Sequence, residues 1–172
     1  MMMQFGIAAF PSKEVQDFAN GWRIRHDPKY NAIPPHLTLR DKEELSKEQL
    51  KEAVAHLDTV TSALSPFTIR FNRVSTFFPV SNVLYLALED PLPVQQLQQA
   101  ICSGPLAIPA PNYVYTPHVT IGQQMEPGEL HDLYGNLRMS DVSLESVIDR
   151  IHLLHATENG FWTAYQSFQF RA

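Results

Sequence analysis

The chain has 172 residues, a net charge of −5 at pH 7 and a hydrophobic fraction of 44%. This length fits one domain, or one domain with two lobes, and the apolar fraction is sufficient for a real core. The acidic balance argues against a large basic surface for long nucleic acid, and it leaves room for a small phosphate ester in a local pocket.

Cysteine content and hydropathy bear on the compartment. The single cysteine, Cys102, excludes an internal disulfide and fits a reducing, cytoplasmic setting. The N-terminal stretch "MMMQFGIAAFPSKEV" lacks the basic start of a signal peptide and predicts a first strand. No apolar run approaches the length of a membrane span. We therefore expect a cytoplasmic protein with no membrane partner.

The first half of the chain alternates predicted strands and helices. Residues 5–10 predict a strand, and Ser12 is placed to cap the helix that follows. The proline-containing loop "HDPKYNAIPP" then leads into "HLTLR", where apolar and polar residues alternate strictly. The spacing of Ser46 and Gln49 is that of a capping box, and apolar residues follow it at helical intervals.

The second half shows the same mixture. The last predicted element is a hairpin over residues 147–170, with Asn159-Gly160 at its turn. The interleaving predicts an α+β chain whose sheet is largely antiparallel. Strand patterns are found in "PFTIRFNRV", "NVLYLALE" and "NYVYTPHVTIGQ", and helix patterns in "VQQLQQAIC" and "PGELHDLYGNLRM".

Two stretches about half a chain apart share the pattern Pro-His-apolar-Thr-apolar. They are "PHLTL" at residues 35–39 and "PHVTI" at residues 117–121. A weak internal repeat surrounds them, because each follows a predicted strand and helix and precedes another helix. We predict a single domain over residues 1–172 with two lobes of similar build, which contribute the H-x-T-x strands 36–39 and 118–121.

Each of these strands presents an imidazole and a hydroxyl on one face. His36 projects with Thr38, and His118 with Thr120, since residues two apart in a strand point the same way. If the lobes pack about a pseudo-twofold axis, the four side chains meet in one groove. Histidine serves as acid or base near neutral pH, and threonine hydroxyls donate to phosphate oxygens. This set suits metal-independent cleavage of a phosphodiester.

The paired motifs resemble the H-x-T-x signatures of the 2H phosphoesterase superfamily, which includes the LigT-type RNA 2′,3′-cyclic phosphodiesterases. The resemblance implies a two-lobed α+β fold with an antiparallel sheet in each lobe, helices outside and a central active groove. It implies His36 and His118 as the catalytic pair, with Thr38 and Thr120 as phosphate binders. We expect neither a metal nor a cofactor. Stretches similar to the bacterial YjcG-like branch, which together span nearly the whole chain, are "FPSKEVQDFAN", "RHDPKYNAIPPHLTLR", "TPHVTIGQ" and "DRIHLLHATENGFWTAYQSF".

Arg40 is a further candidate for the groove. Strict alternation puts it on the face of His36 and Thr38, where it could pair with a substrate phosphate. Arginine is also common on the surface at strand ends, so a structural role stands beside the functional one. Gly122 occupies the matching place after the second motif, and the two halves are therefore not chemically equal.

Three functions are open at this point. The leading one is hydrolysis of a cyclic or 2′,5′-linked phosphodiester in a small substrate or an RNA terminus, not in a long duplex. A binding module would hold a nucleotide or RNA end in the same groove without turnover. A metal-dependent hydrolase would add a carboxylate such as Asp41 or Asp149, although zinc sites prefer three or four converging ligands. The substrate, the acid and base assignment, the direction of reaction and the oligomeric state are equally open.

Overall fold

Strands and helices alternate along the computed structural model, which describes residues 3–109 and 114–172. The strands are β1 (Met3–Ala9), β2 (Leu37–Leu45), β3 (Phe67–Thr76), β4 (Leu84–Leu88), β5 (His118–Gly122), β6 (Leu144–Ile148), β7 (Arg150–Ala156) and β8 (Trp162–Gln169). The helices are α1 (Lys13–His26), α2 (Lys47–Ser62), α3 (Leu92–Ile101) and α4 (Pro127–Leu137), with a 3₁₀ turn at Gly104–Leu106.

The eight strands form one antiparallel sheet in the order β6-β3-β4-β5-β2-β1-β7-β8. It consists of two four-stranded halves, and β2 and β5 pair between them at one position, Leu37 opposite Val119. The predicted α+β class with an antiparallel sheet in each lobe is confirmed, and the structure adds that the two sheets are joined. The single domain over residues 1–172 stays a prediction.

Two of the helices cross between the halves of the sheet. Helix α1 connects β1 to β2 but packs against β5 and β6, and α3 connects β4 to β5 but packs against β2. Their buried residues include Val15 and Ala19 of α1 and Val94 and Leu97 of α3. Each half of the sheet therefore buries its apolar face with the help of a helix from the other half. Among the described helices, none has the length and hydrophobicity needed to cross a membrane.

Side-chain caps fix where two helices begin. Ser12 Oγ accepts a hydrogen bond from the Val15 N–H at the start of α1. Before α2, Ser46 Oγ accepts from the Gln49 N–H while the Gln49 side chain accepts from the Ser46 N–H. Both predicted caps are confirmed, and each satisfies N–H groups that a helix leaves unpaired at its first turn.

The strand that carries the second motif is shorter than its pattern predicts. Strand β5 begins at His118, and residues 114–117 are not in a strand. Positions 112 and 113 of the predicted strand lie outside the described residues. Pro117 accounts for the late start, since proline has no N–H to donate to a ladder.

The C-terminal pattern also divides differently. The apolar run over residues 147–156 breaks at Asp149, so that β6 pairs with β3 in one half and β7 with β1 in the other. The predicted hairpin is confirmed for β7 and β8, and Gly160 adopts φ 81° in the connecting turn. A side chain would be strained at this positive φ, which explains glycine there.

Gly122, at the end of β5, lies next to Met125 and to His26, the last residue of α1. A Cβ atom at this position would lie 2.7 Å from Met125 Sδ and 3.2 Å from His26 Cβ. A larger side chain must displace the Met125 side chain and the end of α1, because the interior is already close-packed. We expect Gly122→Val to lower the free energy of unfolding by about 1–3 kcal/mol, measured by urea denaturation.

Gly135→Ala in α4 is the matched control. A Cβ atom built at Gly135 meets nothing within 4 Å. Alanine costs less conformational entropy than glycine in a helix interior, so this variant should gain about 0.5–1 kcal/mol. An unchanged midpoint for Gly122→Val would contradict the close packing of Met125 and His26 against Gly122.

Candidate active site

The junction of β2 and β5 brings the two motifs side by side. Leu37 and Val119, which are fully buried, face each other at this junction. Continuing the antiparallel register by one residue on either side puts each motif histidine opposite the threonine of the other motif. This extension of the single observed pair matches His36 with Thr120 and His118 with Thr38.

Both imidazoles are held in the same way. Nδ1 of His36 lies 2.8 Å from the Pro34 carbonyl oxygen, and Nδ1 of His118 lies 2.8 Å from the Thr116 carbonyl oxygen. A carbonyl oxygen only accepts, so Nδ1 carries the proton and donates in each ring. Nε2 is therefore the nitrogen with the lone pair when either ring is neutral. The two strands present equivalent, pre-oriented rings.

The surroundings shift the pKa of both rings. Burial lowers the pKa of His36 and of His118 below 6.5, and the carbonyl bonded to each ring partly opposes this effect. The positive charge of Arg23 lowers the pKa of His36 further, with a smaller opposing contribution from Asp27. The Asp41 carboxylate acts on His118 in the other direction and raises its pKa. The nearby charges thus act differently on two imidazoles whose hydrogen bonds to the backbone are equivalent.

A buried ion pair anchors the loop that leads to His36. The side chains of Arg23 and Asp27, one turn apart at the end of α1, are each 2% exposed, with Nε and Oδ2 3.0 Å apart. Arg23 also donates to the Ile33 carbonyl at 2.6 Å, and Asp27 accepts from Gln123 Nε2 at 2.8 Å. The pair therefore connects α1, the loop before His36 and the chain just after β5.

Arg40 does not continue the face of the first motif. A register shift in β2 puts Arg40 opposite the buried Ile7, although Thr38 still faces the groove. The guanidinium donates from Nε to a carbonyl of the 3₁₀ turn at 3.0 Å and from Nη1 to the Glu43 carboxylate. The shared face predicted from strict alternation is wrong because a bulge inserts one residue. Arg40 still borders the groove, and its role as a phosphate ligand stays a prediction.

The groove next to His36 opens into a cavity of about 540 Å³. Besides the first motif, Asp41, Gln123 and Trp162 border it. The sequence indicated Asp41 only as a possible metal ligand, and it did not indicate Gln123 or Trp162. Gln123 directly follows the second motif strand, and that adjacency was the available signal.

Aromatic side chains line the groove next to His118. Phe77 stacks on Tyr85 with ring centroids 4.3 Å apart, and its ring meets the His118 ring edge-on at 5.0 Å. Tyr85 lies opposite Thr120 and is only 7% exposed. These rings fill the space beside the second motif.

The metal-dependent alternative needs further ligands. Within residues 3–109 and 114–172, no three His, Cys, Asp or Glu side chains are grouped to hold a metal ion. Asp149 lies in the break between β6 and β7 and pairs with Arg150. His152 and His155 lie on opposite faces of β7, as their spacing predicts.

The chain is similar in sequence to a family of known proteins. Residues 11–160 match the 2′-5′ RNA ligase superfamily. The chain belongs to this superfamily. A relative from Bacillus licheniformis is 44% identical over 96% of this chain and 98% of its own length. One from Geobacillus kaustophilus is 40% identical over 96% and 95%. Both are provisionally named phosphoesterases, and the resemblance to the 2H phosphoesterases inferred from the motifs is confirmed at this level.

Several solved structures share the architecture. Escherichia coli LigT complexed with 3′-AMP superposes with a TM-score of 0.74 and 16% identity over 100% of both chains. A protein from Thermus thermophilus gives a TM-score of 0.71 and 20% identity over 99% of both chains. At these identities the likeness concerns the fold, and it confirms the LigT-like arrangement of strands and helices.

The buried ion pair yields a stability prediction. Asp27→Ala leaves the Arg23 charge buried without its partner, so we expect a loss of about 3–5 kcal/mol in the free energy of unfolding. Asp17→Ala is the matched control, because Lys13 and Asp17 form an i,i+4 pair on the same helix with side chains 88% and 63% exposed. Its cost should be below about 0.5 kcal/mol. Thermal melts of both variants check this, and similar shifts would show that burial is not what matters.

Proposed function

We propose that the chain hydrolyses a small cyclic or 2′,5′-linked phosphodiester by general acid–base catalysis from His36 and His118. The observation that supports this most strongly is the matched pair of imidazoles, each fixed at Nδ1 by a carbonyl and presenting Nε2 as its second nitrogen. Histidine is the side chain whose unperturbed pKa suits both proton acceptance and proton donation near neutral pH. Membership of the 2′-5′ RNA ligase superfamily supports the same chemistry.

Two proton transfers accompany the displacement at phosphorus. The neutral histidine accepts a proton at Nε2 from a water molecule while the oxygen of that water forms a bond to phosphorus. The bond from phosphorus to the leaving ribose oxygen breaks, and the protonated histidine gives its Nε2 proton to that oxygen. After the reaction, the base is protonated and the acid is neutral. Proton exchange with solvent returns both imidazoles to their starting states. Neither step leaves a full charge on the attacking or leaving oxygen.

The local charges favour one assignment of roles. Asp41 stabilises the protonated form of His118, whereas Arg23 disfavours the protonated form of His36. We therefore assign the proton donor to His118 and the base to His36. Environments that separate the proton affinities of two groups commonly decide which is the acid and which is the base.

The threonines bind the phosphate in this proposal. Thr38 and Thr120 lie across the strand junction from the two histidines, one on each side of the central pair. Each hydroxyl can donate to a non-bridging oxygen, where negative charge increases in the transition state. Arg40 could add a charge-assisted contact if the substrate reaches its end of the groove.

Removing either histidine should remove most of the activity. In buffer with EDTA, we expect His36→Ala and His118→Ala each to lower kcat by about 10²–10⁴-fold, since each loses one proton transfer. The substrate panel would contain nucleoside 2′,3′-cyclic phosphates, ADP-ribose 1″,2″-cyclic phosphate and a 2′,5′-linked dinucleotide.

His131→Ala, on the exposed side of α4, is the control for histidine loss. It should keep wild-type rates, and melting curves would show that all variants are folded. Activity that survives the double substitution of His36 and His118 would refute the mechanism. Nucleotide binding without turnover would favour a binding module, and activity lost in EDTA would favour a metal-dependent enzyme.

The pH dependence should follow from the lowered pKa values. Activity requires one histidine neutral and the other protonated, so kcat/KM should be bell-shaped. Both pKa values lie below 6.5 in the free protein, which puts the optimum of kcat/KM on the acidic side of that value. A bound anion favours the protonated forms, and the kcat profile should therefore lie at higher pH. An optimum of kcat/KM in the alkaline range would contradict the proposal.

The same shifts affect stability without any substrate. A histidine whose pKa is lower in the folded than in the unfolded state stabilises the fold above the unfolded value, and this contribution is lost as the pH falls. The free energy of unfolding of the wild type should thus decrease below about pH 6.5. The slope should be smaller in the double variant His36→Gln/His118→Gln, as measured by urea titrations between about pH 4.5 and 7.5, an interval set around that value.

A further inference from the structure

The segment before His36 is anchored next to the carbonyl that orients the imidazole. The Pro34 carbonyl oxygen lies 2.8 Å from His36 Nδ1. The carbonyl of the preceding residue, Ile33, accepts a hydrogen bond from Arg23 of α1 at 2.6 Å. The ring of the first motif is therefore held from the helix that leads into the same loop.

The segment before His118 is anchored by a different kind of contact. The Thr116 carbonyl holds this ring, and the preceding residue is Tyr115. The Tyr115 hydroxyl donates to the Thr38 carbonyl at 2.6 Å, so this contact reaches from the second motif segment into the first motif strand. Gln95 Nε2 of α3 donates to the Tyr115 carbonyl at 3.0 Å. Both the backbone and the side chain of Tyr115 are therefore held.

We propose that Tyr115 is a positioning residue, whose hydroxyl fixes the orientation of the His118 imidazole relative to the first motif. Strands β2 and β5 pair at one position, and one backbone pair alone restrains their relative angle weakly. The contact from Tyr115 to Thr38 adds a second connection, three residues before His118. The catalytic consequence rests on the function proposed above, whereas the orientation of the ring can be tested without it.

The hydroxyl is suited to a lasting contact with a carbonyl. Burial raises the pKa of Tyr115 above its ordinary value of about 10, and the nearby Cys102 and Asp41 add to this effect. The hydroxyl therefore stays protonated near neutral pH and remains a donor. A tyrosine side chain has few rotatable bonds, so its short hydrogen bond leaves little freedom between the two segments.

The kinetic test removes the hydroxyl alone. Tyr115→Phe keeps the ring that packs against the core. Because a displacement of about 1 Å can cost about 10²-fold in rate, we expect kcat to fall by about 10- to 100-fold. KM should stay within about twofold, since the hydroxyl binds a backbone carbonyl and not the substrate. The rates would be measured with the same panel of phosphodiesters as those of the histidine variants.

The tautomers of the two imidazoles provide a test without substrate. At about pH 8.5 both rings are neutral, and long-range proton–nitrogen correlation spectra distinguish a proton on Nδ1 from one on Nε2. In the wild type we expect the Nδ1–H form of His36 and of His118, since each ring donates to a carbonyl. In Tyr115→Phe the Thr116 carbonyl is less well fixed, so His118 should shift towards the Nε2–H form while His36 keeps its proton on Nδ1.

Tyr134→Phe, in α4, is the matched control. It removes the hydroxyl of another half-buried tyrosine that packs against the core. It should leave kcat and both tautomers unchanged, and thermal melts would show that the two variants are folded. Equal changes of both tautomers in Tyr115→Phe would reveal a general loosening of the site and overturn the positioning role. A raised KM with unchanged kcat would make Tyr115 a substrate contact and would overturn it as well.

The two measurements separate this inference from the proposed function. If no phosphodiester is turned over but Tyr115→Phe changes the tautomer of His118 alone, the hydrolytic function fails and the positioning of the ring stands. If turnover occurs and Tyr115→Phe changes neither kcat nor this tautomer, the positioning role fails and the hydrolytic function stands. Where turnover occurs, the inference requires both the fall in kcat and the change at His118, and either one alone contradicts it.

Discussion

One pairing of two buried residues, Leu37 and Val119, joins the halves of the sheet and determines the geometry of the groove. Because β2 and β5 diverge beyond it, their polar neighbours face a common space and are not covered by a continuous ladder. Side chains replace the missing ladder partners at this point. The Tyr115 hydroxyl donates to the Thr38 carbonyl at 2.6 Å, and the Cys102 thiol to the Leu39 carbonyl at 3.6 Å. The divergence is thus stabilised where backbone groups would otherwise stay unpaired.

The charges of the site are arranged around this junction and not over the whole surface. The buried pair of Arg23 and Asp27 is costly to desolvate, and its position explains why it is useful: it fixes the approach to His36 from three chain segments. Asp41 lies on the other side of the bulge in β2 and acts on His118. A chain with net negative charge can therefore present a groove in which burial lowers the pKa of both imidazoles while a different nearby charge acts on each.

The sequence predicted the structural elements that are determined by residues close together in the chain. Period two identified the faces of both motif strands, reciprocal side chains identified the cap at Ser46, and Asn159-Gly160 identified the hairpin. It could not predict the break at Asp149, because both pieces are strand-like and only their partners distinguish them. Nor could it place Arg40, since a bulge depends on the register with a neighbouring strand.

The unequal halves of the sheet show why pairing of motifs and choice of ligand are different problems. Two similar strands are enough to place two histidines and two threonines around one point. A phosphate group is itself nearly symmetric, so such a set of side chains would be sufficient to bind it. The rest of a substrate is not symmetric. The surroundings of the two motifs are not symmetric either, because Ala8 lies opposite Thr38 in one half of the sheet and Tyr85 lies opposite Thr120 in the other. Repetition in the backbone therefore accounts for the matched positions of the two motifs, whereas departures from repetition in the side chains make the two sides of the groove unequal.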